Sequence, residues 1–128
     1  MNRRTGEPGA RRYTKSHEWV EPDAVGRATV GVTRHARGGR APVRAIRLPP
    51  VGERFAIGAV VAALLGGDGE TPVYCPVSGI VEEINPRIAA EAGLLEADPE
   101  GEGWLFRMSL SRRGELDLPR WKGRDGGV

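Results

Sequence analysis

Hydrophobic and polar positions along this chain follow the short spacing of β-strands. Apolar or alternating runs fall at residues 13–21, 27–33, 43–48, 59–65, 71–79, 79–85 and 104–110. Gly, Pro, Asn or Asp residues bound each run, and these residues interrupt regular structure. Helical spacing is weak, so we expect only short helical turns at 34–42, 86–91 and 111–118, with a loop at 94–103. The pattern predicts a mainly β sandwich or barrel with short peripheral helices.

The strongest turn signal lies between the runs at 59–65 and 71–79. The connecting residues are Gly66, Gly67, Asp68, Gly69 and Glu70. Gly-Gly and Asp-Gly pairs supply the positive φ angles that a tight hairpin turn requires, so we predict a projecting hairpin with Asp68 at its tip. A phosphate-binding loop is excluded, because the lysine and the following helix of that motif are missing.

Composition limits the architecture and the class of partner. The 128 residues, 39% of them hydrophobic, suit one domain, predicted at 13–118 between a disordered basic arm at 1–12 and a polar tail at 119–128. The net charge of +2 is too small to indicate nucleic acid binding. The single cysteine and the absence of a long apolar run indicate a reducing, cytoplasmic setting without a membrane span.

The sequence presents no arrangement of side chains that indicates catalysis or a metal site. Cys75 lies in a β-type run, where a buried and inert thiol is expected rather than a thiol carrier. His17 and His35 are too isolated to indicate a metal centre or a catalytic base. Asp68 and Glu70 on a turn would form only a weak cation site. We therefore predict a protein that is not an enzyme.

Five blocks of residues carry a resemblance to a known family. They are Tyr13-Thr14-Lys15 with His17-Glu18-Trp19-Val20; ATVGVT at 28–33; Leu48-Pro49 with Val51-Gly52; PVSG at 76–79 with Val81, Glu83 and Asn85; and Asp98-Pro99 with Gly101, Gly103, Trp104 and Leu105. In this order and spacing they resemble the H-protein family of the glycine cleavage system, in the lipoyl-domain superfamily. The resemblance implies a flattened β sandwich of the barrel-sandwich hybrid type.

The same resemblance implies a function and exposes a departure from it. The family carries a methylamine group on a lipoyl arm between a pyridoxal-phosphate glycine decarboxylase, a tetrahydrofolate-dependent aminomethyltransferase and dihydrolipoyl dehydrogenase. The arm is attached to a lysine at the hairpin tip. Counting from Val51-Gly52 forward and from PVSG at 76–79 backward places that lysine at position 68, where this chain has Asp68. The only lysines are Lys15 and Lys122, so no shift of register restores the site.

Three functions are compatible with the sequence. The first is a non-lipoylated homologue that binds or regulates glycine cleavage or lipoate-handling enzymes, with no cofactor of its own. The second is a functional H-protein-type carrier. The third is a stand-alone module that binds an anionic ligand.

Charge gives a second departure from the family. Where the resemblance implies an acidic face, this chain has five arginines that are candidate partner contacts: Arg34, Arg37, Arg40, Arg44 and Arg47. Because charge complementarity governs partner choice, we expect this face to dock poorly with partners of an acidic carrier.

Overall fold

The structure is a computed structural model that describes residues 11–34, 42–67 and 69–117. Its strands are β1 (Arg12–Tyr13), β2 (Glu18–Pro22), β3 (Arg27–Val32), β4 (Val43–Arg47), β5 (Arg54–Phe55), β6 (Val60–Gly66), β7 (Gly69–Tyr74), β8 (Gly79–Ile84) and β9 (Phe106–Leu110). The helices are α1 (Pro86–Ala90), α2 (Gly93–Ala97) and a 3-10 helix at Arg113–Asp117.

The strands form two antiparallel sheets that enclose one core. The larger sheet has the order β1-β2-β3-β9-β8-β5, and the smaller sheet has the order β4-β6-β7. Val30 and Phe106 of the larger sheet share a buried cluster with Ala62, Leu64 and Val73 of the smaller sheet. Burial of such side chains between two sheets is the main favourable term in a domain of this kind. The predicted mainly β sandwich with short helices is confirmed.

Helix α1 follows the prediction for residues 86–91. The Asn85 side chain accepts a hydrogen bond from the backbone N–H of Arg87, and Pro86 occupies the first turn, where it loses no hydrogen bond. The Asn85 amide also donates to the carbonyl oxygens of Glu102 and Trp104, at 2.9 and 2.8 Å. One side chain thus caps α1 and fixes the segment that leads into β9.

Two local predictions differ from the structure. The loop predicted at 94–103 contains helix α2, because Leu95 is buried and Leu94 packs against the core, and this packing outweighs the low helix propensity of Gly93. Arg12, predicted within the disordered arm, lies in β1 with 5% of its surface exposed. Its Nε donates to the carbonyl oxygen of Leu116 at 2.8 Å, so a hydrogen bond accompanies its burial.

The other predicted helical turns have different outcomes. The helical turn at 111–118 is present as the 3-10 helix. Most of the turn predicted at 34–42 lies outside the described residues. So do residues 1–10 of the predicted arm and the predicted tail at 119–128.

Candidate functional site

The predicted hairpin is formed by β6 and β7. Leu65 pairs with Glu70 and Gly66 pairs with Gly69, so positions 67 and 68 make the connection. Gly69 has a φ angle of 122°, which a residue with a side chain adopts only under strain. Asp68 itself lies outside the described residues. The predicted hairpin is present, and Gly69, one of the glycines of the predicted turn segment, has a positive φ angle. The position that the resemblance assigns to the family's lysine falls in the connection between the two strands.

An ion pair crosses the outer face of the smaller sheet. In the ladder, Arg47 of β4 pairs with Ala63 of β6, which pairs with Pro72 of β7. Arg47 extends over β6 and binds the Glu70 carboxylate. Both side chains are more than half exposed, at 58% and 51%, so the ion pair contributes little to stability. Glu70 is nevertheless already engaged, which argues against the cation site considered for Asp68 and Glu70.

A buried carboxylate joins the other end of this hairpin to the larger sheet. Glu18 of β2 is 2% exposed, and its Oε1 accepts hydrogen bonds from the hydroxyl groups of Thr14 and Ser16 at 2.5 and 2.6 Å. Its Oε2 accepts a hydrogen bond from the backbone N–H of Tyr74 at 3.0 Å. Buried polar groups are normally hydrogen-bonded, and these three donors satisfy both oxygens of the Glu18 side chain. This role was not predicted from the sequence, although two hydroxyl residues close to a glutamate in a strand-forming run were a usable signal.

The single cysteine is buried beyond the end of β7. Cys75 has no exposed surface, and its thiol donates to the carbonyl oxygen of Val77 at 3.0 Å. Burial raises the pKa of the thiol to about 12, and the carboxylates of Glu18 and Glu115 act in the same direction. The thiolate is the reactive form of cysteine, so this group is suited to packing rather than to carrying a group.

The predicted basic face is only partly described, because Arg37 and Arg40 lie outside the described residues. Arg34 donates to the carbonyl oxygens of Glu96 and Ala97 at the end of α2, at 3.0 and 3.2 Å. Arg47 is the partner of Glu70, as described above. Arg44 is exposed and has no hydrogen-bond or ion-pair partner among the described residues. Of the three arginines of the predicted face that lie within 11–34, 42–67 and 69–117, it is therefore the one without a bonding partner.

Neither lysine of the chain belongs to the hairpin. Lys15 is exposed in the turn between β1 and β2 of the larger sheet, and Lys122 lies outside the described residues. The part of the chain that the structure describes contains no group of three or more His, Cys, Asp or Glu side chains placed to hold a metal ion. It also contains no helix of the length and apolarity needed to cross a membrane.

Comparison with known proteins gives one consistent result. The profile of the family described as glycine cleavage H-protein matches residues 11–118. The glycine cleavage system H protein of Thermotoga maritima is 44% identical over 108 residues, which are 84% of this chain and 86% of the relative. That of Methylacidiphilum infernorum is 38% identical over 109 residues, which are 85% and 84% of the two chains.

A solved structure agrees with these relatives. The crystal structure of a glycine cleavage system H protein from Mycobacterium marinum superposes with a TM-score of 0.73 at 27% identity, over 82% of this chain and 87% of the other. The shared architecture is a mainly β sandwich of two sheets with short helices. The chain belongs to the glycine cleavage H-protein family.

Proposed function

We propose that this member of the H-protein family is a non-lipoylated homologue, which docks with glycine cleavage or lipoate-handling enzymes and does not carry the methylamine intermediate. H proteins are non-catalytic lipoyl carriers, and their partners are the other proteins of the glycine cleavage system. The observation that carries the proposal is Asp68, between Gly67 and Gly69, at the position where the resemblance implies the attachment lysine.

The chemistry of attachment excludes aspartate as a substitute. Lipoylation joins the carboxyl group of lipoate to an amine as an amide, and lysine supplies the amine through its Nζ atom. Aspartate offers a second carboxylate, and two carboxylates do not condense to an amide. Residues 59–79 contain no lysine at all. The hairpin therefore does not fit a lipoyl group.

A functional carrier is the second candidate, favoured by the 44% identity to a Thermotoga maritima H protein. It would require attachment outside the hairpin, at Lys15 or Lys122. Lys15 lies in a turn of the larger sheet, whereas the hairpin belongs to the smaller one. Lys15 does lie in the turn of a hairpin, but β1 and β2 have only two paired positions, against six in the β6–β7 hairpin. An attaching enzyme that reads a lysine at the tip of a long hairpin would not find that setting at Lys15.

The intact mass of the full chain separates these two functions. The chain would be produced in cells that contain ample lipoate and a lipoate-attaching enzyme, with a lysine-bearing H protein as the positive control. The proposal predicts an unmodified mass for this chain and a lipoyl-sized increase for the control. A lipoyl-sized increase on this chain, mapped to a lysine by peptide analysis, would establish the carrier and end the proposal.

Binding must be measured separately, because an unmodified mass alone does not establish docking. Surface plasmon resonance would measure the binding of this chain to the glycine decarboxylase, the aminomethyltransferase and a lipoate-attaching enzyme. The proposal predicts saturable binding to at least one of them. Absence of binding to all three, under conditions in which the control H protein binds, would contradict the docking part of the proposal.

A further inference from the structure

A groove at the β5 edge of the larger sheet is not used by the function proposed above. It has a volume of about 420 Å³ and lies between the segment that follows β5, the start of β8 and the 3-10 helix. Small-molecule sites in proteins start at about 300 Å³ and combine apolar walls with a few polar groups. The size of this groove suits a small molecule rather than a folded partner.

The floor of the groove is fixed by a chain of hydrogen bonds. The backbone N–H of Ile57 donates to Ser78 Oγ at 3.0 Å, and the Ser78 hydroxyl donates to Glu115 Oε2 at 2.8 Å. Glu115 Oε1 accepts from the backbone N–H of Ser78 at 2.7 Å. Both oxygens of this carboxylate are thus engaged by Ser78. The three elements that form the groove are tied together, so the cavity is pre-formed.

The rim carries positive charge. Arg54 and Arg112 both line the groove and are exposed, and neither has a carboxylate partner among the described residues. Arg54 donates only to Ser111 Oγ, at 3.3 Å, and this acceptor hydroxyl keeps its own proton available for donation. The lining therefore combines two guanidinium groups with the single, internally bonded carboxylate of Glu115. An oxyanion is the ligand group that complements it, because guanidinium binds carboxylate and phosphate through paired N–H donors.

The remaining wall is apolar. Phe55 and Ile57 are half-buried and line the same cavity. We propose that this groove binds a small organic anion, with its oxyanion at Arg54 and Arg112 and its apolar body against Phe55 and Ile57. This site is independent of the hairpin tip and of lipoylation, so it stands whether or not the proposed function does.

The test is a titration of the full ¹⁵N-labelled chain with hexanoate at low ionic strength, in which binding is monitored through the amide chemical shifts. Saturable shifts are expected at the amides of Ile57 and Ser78. Arg54→Gln and Arg112→Gln should each weaken binding about fivefold, the equivalent of one partly exposed ion pair. Arg44→Gln is the matched control, since Arg44 is also an exposed arginine without a carboxylate partner among the described residues, and it should leave the affinity unchanged.

Three comparisons can overturn the proposal. Hexanol binding as tightly as hexanoate would exclude a role for the arginines, and inorganic phosphate binding as tightly would exclude a role for the apolar wall. Equal weakening in Arg44→Gln would show that only the overall charge matters. If a variant fails to fold, the salt dependence of hexanoate binding to the unmodified chain tests the role of the arginines instead. Binding at the exposed guanidinium groups must weaken as ionic strength rises, so an affinity that does not change with salt would exclude that role. Absence of saturable shifts at Ile57 and Ser78 would also refute the site.

Discussion

The buried carboxylate of Glu18 gives the sharpest test of how the two sheets are held together. Its side chain connects the β1–β2 turn to the end of β7, through the hydroxyls of Thr14 and Ser16 and the backbone N–H of Tyr74. Replacing Glu18 by alanine removes the common acceptor of these three donors. Thr14 is 2% exposed, so its hydroxyl has little access to water as a replacement partner.

The magnitude follows from the number and type of these hydrogen bonds. Each hydrogen bond to a charged group contributes about 1.5 to 3 kcal/mol, and removal of the charge recovers part of its own burial cost. We expect Glu18→Ala to lower the free energy of unfolding by about 3 to 5 kcal/mol. Glu18→Gln should cost about 1 to 2 kcal/mol. Its carbonyl oxygen can keep the Tyr74 N–H, while the hydroxyls of Thr14 and Ser16 rotate to accept from its amide.

Urea unfolding followed by tryptophan fluorescence measures these differences, provided that the slope with urea is unchanged. Glu82→Ala is the matched control, because Glu82 is exposed on β8 and has no partner among the described residues. It should change the free energy of unfolding by less than about 0.5 kcal/mol. A loss below about 1 kcal/mol for Glu18→Ala, or equal losses for the alanine and glutamine variants, would refute the role assigned to this carboxylate.

Three further predictions concern packing, titration and docking. A Cβ at Gly79 would lie 1.9 Å from the carbonyl oxygen of Ser109, so Gly79→Ala should lower the free energy of unfolding by at least about 3 kcal/mol or prevent folding. A Cβ at Gly93 would meet nothing within 4 Å, so Gly93→Ala should be neutral or stabilising. Thermal unfolding followed by circular dichroism measures both. Burial raises the pKa of the Cys75 thiol from 9.0 to about 12, so the folded state keeps a proton that the unfolded state loses. The free energy of unfolding should therefore fall as the pH rises above 9, by about 1 kcal/mol at pH 10, and urea unfolding of Cys75→Ala should lack this component. Arg44→Glu should strengthen binding to glycine decarboxylase more than Arg44→Gln does in surface plasmon resonance, and unchanged or weaker binding of both would contradict the proposed repulsion.

The hairpin shows which features could be predicted from the sequence alone. Its strands were visible as two apolar runs, and the glycines around Asp68 specified the turn, because both signals are local. The same holds for α1, where Asn85 and Pro86 mark the start of a helix. Architecture followed from the number of such strands and from the order of the family's blocks.

The features that could not be predicted from the sequence depend on contacts between residues far apart in the chain. Helix α2 forms because Leu95 is buried in the core, which local propensity cannot indicate. Arg12 is fixed by the carbonyl oxygen of Leu116, 104 positions away. The groove of Arg54 and Arg112 also combines segments far apart in the chain. Each of these features forms only when the sheets pack together, so it could not be predicted from residues that are neighbours in the sequence.

The structure also bears on the proposed replacement of the attachment lysine by Asp68, because it shows how far along the hairpin the core extends. Among the described residues of the hairpin, the shared core includes Leu64 on β6 and Val73 on β7 but none of Leu65, Gly66 and Gly69, which lie closer to the tip. The hydrogen bond between Glu18 and the backbone N–H of Tyr74 lies at the opposite end of β7. Position 68 comes after the last strand pair, Gly66 with Gly69, in the connection between β6 and β7. The described core residues of the hairpin lie further from that connection, so the proposed replacement of a lysine there is compatible with the retained fold.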